Sequence, residues 1–406
     1  MRLQATRASV TSGGGAIDAL YRAAGGKPTL DQMFAKDKTL ADKISGSNLI
    51  TFSRASSGAY VDSDGLIKTA ADNVPRFDHD PVTGESLGLL IEAERTNKML
   101  RSENLASSSS YWRHFDGATA TLSSVTAPDG VSTMWLVDLS DTPGTSSDGS
   151  RVYQSGLAFN NVVNTFSFYA RSVSGTGTFP AAYFDGSNYV KLYVTLTETI
   201  QRYEVYCPSG ISTAGNNIFG FSRRGSTHDE TLDQAYIWGC QVEAAPYATS
   251  YISTDSSTVT RSPDICTIEG ANFSSWYDQS EGTIFADSSG NPGKIAVISD
   301  GTDSNKHELF STSTDVTVEQ KNGGSNQVSL SQSRFSKAAF AYAADDYGLS
   351  VGGATAITDT SATPPTVNKM SIGCQYDDSL QLNGHISRLA YFSTRRTDAE
   401  ISRMTS

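Results

Sequence analysis

Charged side chains are scarce in this chain. They make up 18% of its 406 residues, whereas soluble domains carry about 25%. Glycine is abundant, with 35 residues, and serine and threonine are also frequent. This composition is typical of turn-rich β structure and argues against a helical bundle or a fully disordered chain. The formal net charge is −12, so the chain lacks the excess of basic residues that binding to a phosphate backbone requires. We therefore expect no nucleic-acid partner.

The sequence also lacks any apolar run of about 18 residues, so we expect no membrane insertion. Its first residues lack the apolar segment of a signal peptide. The four cysteines contain no C-x-x-C pair, which argues against a zinc site. Four small buried thiols in a chain folded in a reducing cytoplasm are the simplest interpretation. A disulfide between Cys207 and Cys240, which lie in one predicted domain, is the alternative.

Recognisable catalytic motifs are missing as well. The chain has no G-x-S-x-G elbow, no H-E-x-x-H, no phosphate loop and no dinucleotide fingerprint. It also lacks the long-period repeat of a parallel β-helix on which a pair of catalytic carboxylates could be displayed. We therefore predict a non-enzymatic protein with no catalytic residues and no cofactor.

Pairs of acidic residues recur in four turn-like contexts. Each pair has Gly, Asn or Pro nearby, which is typical of carboxylates that cap their own turns. The segment that starts at Asp62 resembles the beginning of an EF-hand loop, but its twelfth position is Asn73 instead of glutamate. A structural calcium ion near Asp377 and Asp378 is the alternative interpretation. The four pairs are Asp62/Asp64, Asp78/Asp80, Asp345/Asp346 and Asp377/Asp378.

Short strand-like runs separated by turn signals predict an all-β fold. We expect two antiparallel β-sandwich (jelly-roll) domains in series, behind a short helical or extended N-terminal anchor and a turn-rich β collar. The polar segment 253–264 is expected to be a linker, so that residues 265–406 fold without the rest of the chain. The predicted divisions are an anchor at 1–48, a collar at 49–99, and sandwiches at 100–260 and 261–406.

Capping signals predict where short helices begin. Thr29 and Thr39 each precede a few apolar-periodic residues and are candidate N-caps. Thr397, with Glu400 three residues later, forms a capping box before a terminal helix. The apolar residues of 1–48 are too few to form a core alone, so this segment is expected to dock on other chains.

Three phrases near the N-terminus resemble a conserved-looking collar in structural proteins of tailed bacteriophages, especially marine ones. They are SRASSGAYVDSDGLIKTA (53–70), PRFDHDPVTGESLGLLIE (75–92) and ERTNKMLRSENL (94–105). Residues 100–260 resemble a family 4/9 carbohydrate-binding module, most clearly in the closing phrase IWGCQVEAAPYATSYIST (237–254). Residues 261–406 resemble a concanavalin-A-like or laminin-G-like sandwich, with the phrase NGHI (383–386) ahead of the terminal helix.

The resemblance implies a fibre, spike or decoration protein on the surface of the phage particle, made in the host cytoplasm. It implies a homotrimer that contacts other virion proteins through residues 1–98 and displays its sandwiches to a glycan on the host cell. A purely structural spacer is the first alternative, and a glycan-cleaving spike is the second. Related sandwiches often hold a calcium ion, so a structural calcium stays open as the only metal.

Strand alternation selects a candidate glycan-binding set in the middle sandwich. In 189–196 the even-numbered residues are apolar and predicted to face the core, and Phe166, Phe168 and Ala170 play that part in 165–171. The opposite positions carry aromatic rings and cations, which suit stacking and hydrogen bonding to sugars. A row of outward tyrosines would equally well pack against a neighbouring subunit. The predicted glycan-binding residues are Tyr169, Arg171, Tyr189, Lys191 and Tyr193.

Overall fold

The computed structural model describes residues 18–108, 110–141, 149–157, 162–184, 189–208, 217–225 and 228–406. Residues 1–17 of the predicted anchor therefore lie outside the described part of the chain. The helices in these ranges are α1 Ala19–Ala23, α2 Phe34–Asp37, α3 Gly270–Ser274 and α4 Asp398–Thr405.

Strands make up most of the described secondary structure, which confirms the predicted all-β fold. The first seven are β1 Leu30–Gln32, β2 Thr51–Ser53, β3 Gly58–Val61, β4 Ile67–Ala70, β5 Phe77–His79, β6 Ser86–Ile91 and β7 Arg95–Asn97. The next ten are β8 Arg113–Phe115, β9 Thr119–Thr126, β10 Thr133–Asp138, β11 Arg151–Ser155, β12 Asn164–Ser172, β13 Gly177–Phe184, β14 Tyr189–Leu196, β15 Gln201–Cys207, β16 Ile218–Ser222 and β17 Gln234–Glu243.

The remaining twelve strands lie in the carboxyl-terminal part of the chain. They are β18 Val259–Arg261, β19 Ile265–Glu269, β20 Glu281–Gly290, β21 Gly293–Ser299, β22 Lys306–Ser311, β23 Asp315–Asn322, β24 Ser325–Ser333, β25 Lys337–Ala343, β26 Asp346–Val351, β27 Ile357–Asp359, β28 Lys369–Ile372 and β29 Gly384–Phe392.

Strands β8 to β17 form one sandwich, which we call the insert sandwich. One five-stranded sheet has the order β15-β12-β17-β10-β9, and the other has the order β14-β13-β16-β11-β8. Phe166 and Phe168 of the first sheet pack against Phe219 and Phe221 of the second in a buried core. The core-facing positions predicted for 165–171 and 189–196 are therefore confirmed.

A second sandwich, which we call the composite sandwich, is built from both ends of the chain. Its eight-stranded sheet runs β27-β26-β25-β20-β29-β6-β5, and β1 also pairs with β29. Its seven-stranded sheet runs β2-β19-β28-β21-β22-β23-β24. Leu30, Phe34, Leu89 and Ile91 share one buried core with residues of the carboxyl-terminal strands. Deleting the N-terminal strands would open this core to water.

The predicted anchor and collar are thus not separate layers in the described structure. Leu30 does not begin a helix capped by Thr29 but pairs as a strand residue with Tyr391. Thr39 precedes no helix, and its hydroxyl instead accepts a hydrogen bond from the Ala41 N–H at 3.2 Å. Weak local helix preference loses here to long-range strand pairing, which buries the same apolar side chains and satisfies the backbone.

The polar segment 253–264 is not a free linker. Its strand β18 pairs with β7, so that Val259 lies opposite Asn97 where the chain enters and leaves the insert sandwich. The β3–β4 hairpin packs on the outside of the same sandwich, where Ala59 joins a buried cluster with Trp238 and Tyr251. The structure therefore corrects the expectation that residues 265–406 are separated from the rest by a spacer.

A buried ion-pair network joins the two sandwiches. Asp264 contacts Arg54 at 3.1 Å and also contacts Arg76. Glu92 contacts Arg76 at 2.8 Å and Arg261 at 2.6 Å. All five side chains are almost completely buried, so each charge depends on its partners for compensation.

Ser250, from the end of the insert sandwich, completes this network. Its backbone N–H donates to Glu92 at 2.7 Å and its hydroxyl donates to the same carboxylate at 2.6 Å. Burial by itself would raise the pKa of Glu92. Arg261, Arg76 and the Ser250 hydrogen bonds outweigh burial and hold that pKa well below its usual range.

The terminal helix closes the outer side of the eight-stranded sheet. The predicted capping box of α4 is confirmed, because Thr397 accepts from the Glu400 N–H at 3.3 Å and its own N–H donates to the Glu400 carboxylate at 2.8 Å. Leu20 of α1 and Ile401 of α4 lie in one apolar cluster on this sheet. The cysteines are buried and free, as the simplest interpretation predicted, so Cys207 and Cys240 form no disulfide.

Candidate functional site

The five predicted glycan-binding residues lie on two different sheets. Tyr169 and Arg171 belong to β12, whereas Tyr189, Lys191 and Tyr193 belong to β14 of the opposite sheet. Since both strands turn their apolar residues into the shared core, their other side chains point away from each other. The prediction of one continuous face made of all five residues is therefore wrong.

Tyr169 is part of an internal contact instead of an open surface. Its ring lies 5.7 Å from that of Trp238 and 6.3 Å from that of Tyr251. The guanidinium of Arg202 lies 5.6 Å from the Tyr169 ring, and burial raises the pKa of the phenol. Arg171 lies beside Tyr236 on the same side of the sheet, 5.7 Å from its ring. This side holds the β3–β4 hairpin, whose Ala59 lies in one apolar cluster with Tyr169 and Tyr236.

The outward side of the other sheet, which we call the outer face, carries the remaining three residues. Strand register places Lys191 beside Ala182 of β13. Ala182 in turn lies beside Gly220 of β16, which lies beside Tyr153 of β11. Arg113 of β8 ends this row, next to Tyr153. Two small residues, Ala182 and Gly220, thus lie between a lysine on one edge strand and Tyr153, which is followed by an arginine on the other edge strand.

Gly220 is required at the middle of this strip. A Cβ atom at Gly220 would lie 2.6 Å from the Cα atom of Tyr153 and would also collide with the Val152 carbonyl. Any larger residue would therefore push β11 and β16 apart. Gly220, Ala182 and Tyr153 are all buried, so little of the centre of this row is open to solvent.

Aromatic rings lie on both sides of the row of Ala182 and Gly220. Tyr153 and Phe115 stack with their ring centroids 5.6 Å apart on the side of β8 and β11. Tyr189 lies 6.1 Å from Phe184 on the side of β13 and β14. Tyr193 lies on the same edge, with the Lys191 ammonium 5.8 Å from its ring.

Cations surround these rings. The Arg151 guanidinium lies 5.2 Å from the Phe115 ring and pairs with Asp116 at 2.8 Å. The Arg224 guanidinium lies 5.1 Å from the Tyr189 ring. Cations held over aromatic rings are stabilised by the ring quadrupole.

Glu230 organises the edge next to β14. Its buried carboxylate lies 3.2 Å from Arg223, 2.9 Å from His228 and 3.8 Å from Lys191. Burial by itself would raise the pKa of Glu230. The hydrogen bond to His228 and the charges of Lys191 and Arg223 lower it below its usual value. Glu230 is therefore an ionised anchor that orients the Lys191 ammonium on the outer face.

Alternation in β11 contains a signal that could have revealed the missing members of this face. Val152 faces the core while Arg151 and Tyr153 face outward, the same pattern that selected the β14 residues. Only the pairing of β11 with β16 and β8 shows that Tyr153 and Phe115 share a surface with Tyr189. Sequence separation hides that relationship.

Asp62, Asp80 and Asp377 cap their own turns, as predicted. Asp78 instead accepts from the Val61 N–H and contacts His385, and Asp346 pairs with Arg395. Asp62 accepts from the Asp64 N–H and the Leu66 N–H, both at 3.0 Å. Asp377 accepts from the Ser379 N–H at 3.2 Å, and Asp378 lies beside it with a φ of 63°. Within the described ranges, no group of three or more His, Cys, Asp or Glu side chains is placed to hold a metal ion. The calcium alternative stays a prediction.

Two concave sites lie outside the outer face. One, of about 420 Å³, is bordered by Phe273, Tyr277 and Lys369 of the composite sandwich. The other, of about 340 Å³, lies between the β3–β4 hairpin and the insert sandwich, with Trp238 and Tyr251 among its lining residues. Across the part of the chain that the structure describes, no helix is both long and apolar enough to cross a membrane.

Comparison with known proteins finds only distant similarities. No family model and no curated protein matches the chain. The CBM22-1 xylan-binding domain of Paenibacillus barcinonensis Xyn10C is similar over 37% of this chain and 97% of that domain, at 12% identity and a TM-score of 0.27. The CBM22-1–CBM22-2 tandem domain of the same protein covers 73% of this chain and 96% of its own, at 11% identity and a TM-score of 0.27. Mouse laminin α1 domains LG4-5 cover 60% of this chain and 86% of their own, at 13% identity and a TM-score of 0.22.

Proposed function

We propose that this chain is a non-enzymatic virion protein of a tailed bacteriophage, and that its insert sandwich binds a polysaccharide through the outer face. The observation that carries the binding proposal is the row of Ala182 and Gly220, bordered by Tyr153 and Phe115 on one side and by Tyr189 on the other. Ala182 and Gly220 are themselves buried, so the sugars would contact the aromatic rings and cations on either side of this row.

The size and chemistry of the outer face suit such a ligand. Five strands leave four intervals of about 4.8 Å, so the face is roughly 19 Å wide. Sugar rings present apolar C–H faces that pack on aromatic rings, while their hydroxyl groups need hydrogen-bond partners at the rim. Tyr193 and Lys191 supply both kinds of contact on the edge strand β14.

The virion assignment is supported by the phage-like phrases at 53–70, 75–92 and 94–105. On this proposal the chain is made in the host cytoplasm and assembles as a homotrimer on the particle surface. Exposed surfaces of the N-terminal segment contact other virion proteins, and the insert sandwich contacts a glycan on the host cell. Because strands of that segment complete the composite sandwich, its docking to the particle would hold the rest of the chain directly.

Polysaccharide binding by the full chain tests the proposal. We expect affinity electrophoresis against a panel of plant, algal and bacterial polysaccharides to show retardation by at least one of them. Replacing both Tyr189 and Tyr193 by alanine should weaken that binding at least about tenfold, because two ring contacts are lost. Tyr206→Ala is the matched control, since Tyr206 is an exposed tyrosine on the other sheet of the same sandwich.

Other results would point to the alternatives. Retained binding in the Tyr189→Ala, Tyr193→Ala variant would remove the outer face as the site. Loss of the oligomer in that variant, by light scattering, would make the face a subunit contact. Absence of binding to every polysaccharide would favour a structural spacer, and release of reducing ends would favour a glycan-cleaving spike.

A further inference from the structure

The outer face contains buried hydrogen-bond donors that lack acceptors. The Nε atoms of Arg151 and Arg224 are both shielded from solvent and have no hydrogen-bond partner among the described residues. A buried N–H without an acceptor destabilises the unliganded protein. Seven other arginine Nε atoms in the described ranges share this state, among them those of Arg76 and Arg261 in the buried network, so the two donors leave a place for ligand oxygens but do not by themselves show one.

Both guanidinium groups lie close to Tyr189. Arg224 lies 5.1 Å from its ring, and burial raises the pKa of the Tyr189 hydroxyl, an effect that the Ser222 hydroxyl and the charges of Arg151 and Arg224 only partly offset. Arg151 is more than nine-tenths buried. Tyr153, from the neighbouring strand, acts on the same hydroxyl. The two unpaired donors thus belong to one built site at the centre of the outer face.

The carboxylates around this site are nearly all engaged. Asp116 is held by Arg151 at 2.8 Å. Glu230 is buried against Arg223, and Asp233 lies 3.0 Å from the same guanidinium. Asp229 is a further acid at the Tyr193 edge, and its backbone N–H donates to the Tyr193 hydroxyl at 3.3 Å.

The cations are less completely neutralised. Arg113 and Arg224 have no carboxylate within ion-pair distance in the described part of the chain. Arg113 is also exposed at the end of the row that contains Tyr153. Among the described residues, the outer face therefore carries two arginines without a paired carboxylate, in a chain whose net charge is −12.

We infer that the polysaccharide bound at the outer face is anionic and carries carboxylate or sulfate groups that Arg224 and Arg151 contact. This inference rests on the proposed function and names the class of its ligand. The hydroxyl groups of a neutral sugar donate as well as accept, so they would also need acceptors at the site. The described carboxylates that could accept from them are mostly already paired. An oxyanion only accepts, and a planar guanidinium matches a carboxylate with two parallel hydrogen bonds.

A pair of polymers that differ only in charge tests the inference. Polygalacturonate and its fully methyl-esterified form share one backbone, and esterification removes the carboxylate charges. We expect the full chain to bind the charged polymer at least about tenfold more tightly, because a charged hydrogen bond is lost on esterification. The preference should shrink as sodium chloride is raised from 0.05 to 0.5 M, because salt screens partly exposed charges.

A sulfated galactan and its desulfated form provide the second arm. Preference for the sulfated form with no preference within the galacturonate pair would identify sulfate as the source of the oxyanion. Equal or stronger binding of the neutral member in both pairs would overturn the inference while leaving the glycan-binding proposal intact. Failure of all four polymers and of the wider panel would instead count against the proposed function.

Variants connect the charge preference to the site. Arg224→Gln should lower affinity for the preferred anionic polymer about tenfold and leave affinity for its neutral form nearly unchanged. Arg224→Lys keeps the charge but loses the planar pair of donors, so it should recover only part of the loss. Arg403→Gln, an exposed arginine on α4, removes the same charge elsewhere and should bind like the parent. An equal loss in Arg403→Gln would show that net charge alone, not the site, sets the preference.

Discussion

Glu92 and Asp264 are joined by two hydrogen bonds, although the whole insert sandwich lies between them in the sequence. The Asp264 N–H donates to the Glu92 carbonyl oxygen at 2.9 Å. In return the Glu92 N–H donates to the Asp264 carboxylate at 2.9 Å, although the two residues are 172 positions apart. The chain therefore leaves the composite sandwich and returns to it at one point, where Arg54, Arg76 and Arg261 surround the two acids.

The first prediction concerns the stability of this junction. Arg76→Ala should lower the free energy of unfolding by about 3–5 kcal/mol, because it leaves Glu92 and Asp264 buried with fewer compensating charges. Urea unfolding followed by tryptophan fluorescence measures the change. Arg403→Ala should change stability by no more than about 0.5 kcal/mol, as expected for an exposed residue. Equal stabilities of the two variants would contradict the assigned role of Arg76.

Acid should weaken the same junction. The folded-state pKa of Glu92 is lower than its value in the unfolded chain, so its stabilising contribution is complete above the unfolded pKa of about 4.3. That contribution is lost progressively as the pH falls toward the folded-state pKa. Glu92→Gln should be less stable than the parent at pH 7, and the difference should narrow between pH 5 and pH 3. A constant difference across that range, measured by urea unfolding, would show that ionisation of Glu92 is not involved.

A third prediction concerns which parts of the chain fold by themselves. Residues 95–260 should unfold cooperatively in isolation, because β7 and β18 pair where the insert begins and ends. A chain in which a short glycine-serine linker replaces residues 94–260 should also fold, since Glu92 and Asp264 are already in contact and Arg261 stays in place as a partner of Glu92. Circular dichroism during heating reports both transitions.

Residues 265–406 alone serve as the comparison. This fragment lacks β1, β2, β5 and β6, and with them Leu30, Phe34, Leu89 and Ile91 of the shared core. Exposing that much apolar surface should leave it insoluble or without a cooperative transition. A stable, cooperative fragment would mean that the N-terminal strands only decorate a complete sandwich.

The local sequence pattern was sufficient to predict several features of this protein. Alternation along β14 correctly separated Val190, Leu192 and Val194 from the outward residues, because side-chain direction in a strand has a period of two. The capping box of α4 and the turn role of Asp62 also depend only on neighbours within four positions. Such features require no knowledge of how distant segments pair.

Tertiary structure alone decided which strands are neighbours. Alternation places Tyr169 and Tyr189 outward on their own strands but cannot show that β12 and β14 lie in opposite sheets. It likewise cannot bring Tyr153 beside Gly220, or Leu30 beside Tyr391. Those pairings join residues far apart in the chain, and they form because burying a shared apolar core outweighs weak local preferences. The amino-acid sequence by itself determined which side of each strand is apolar, and the packing of the two sandwiches determined what the other side meets.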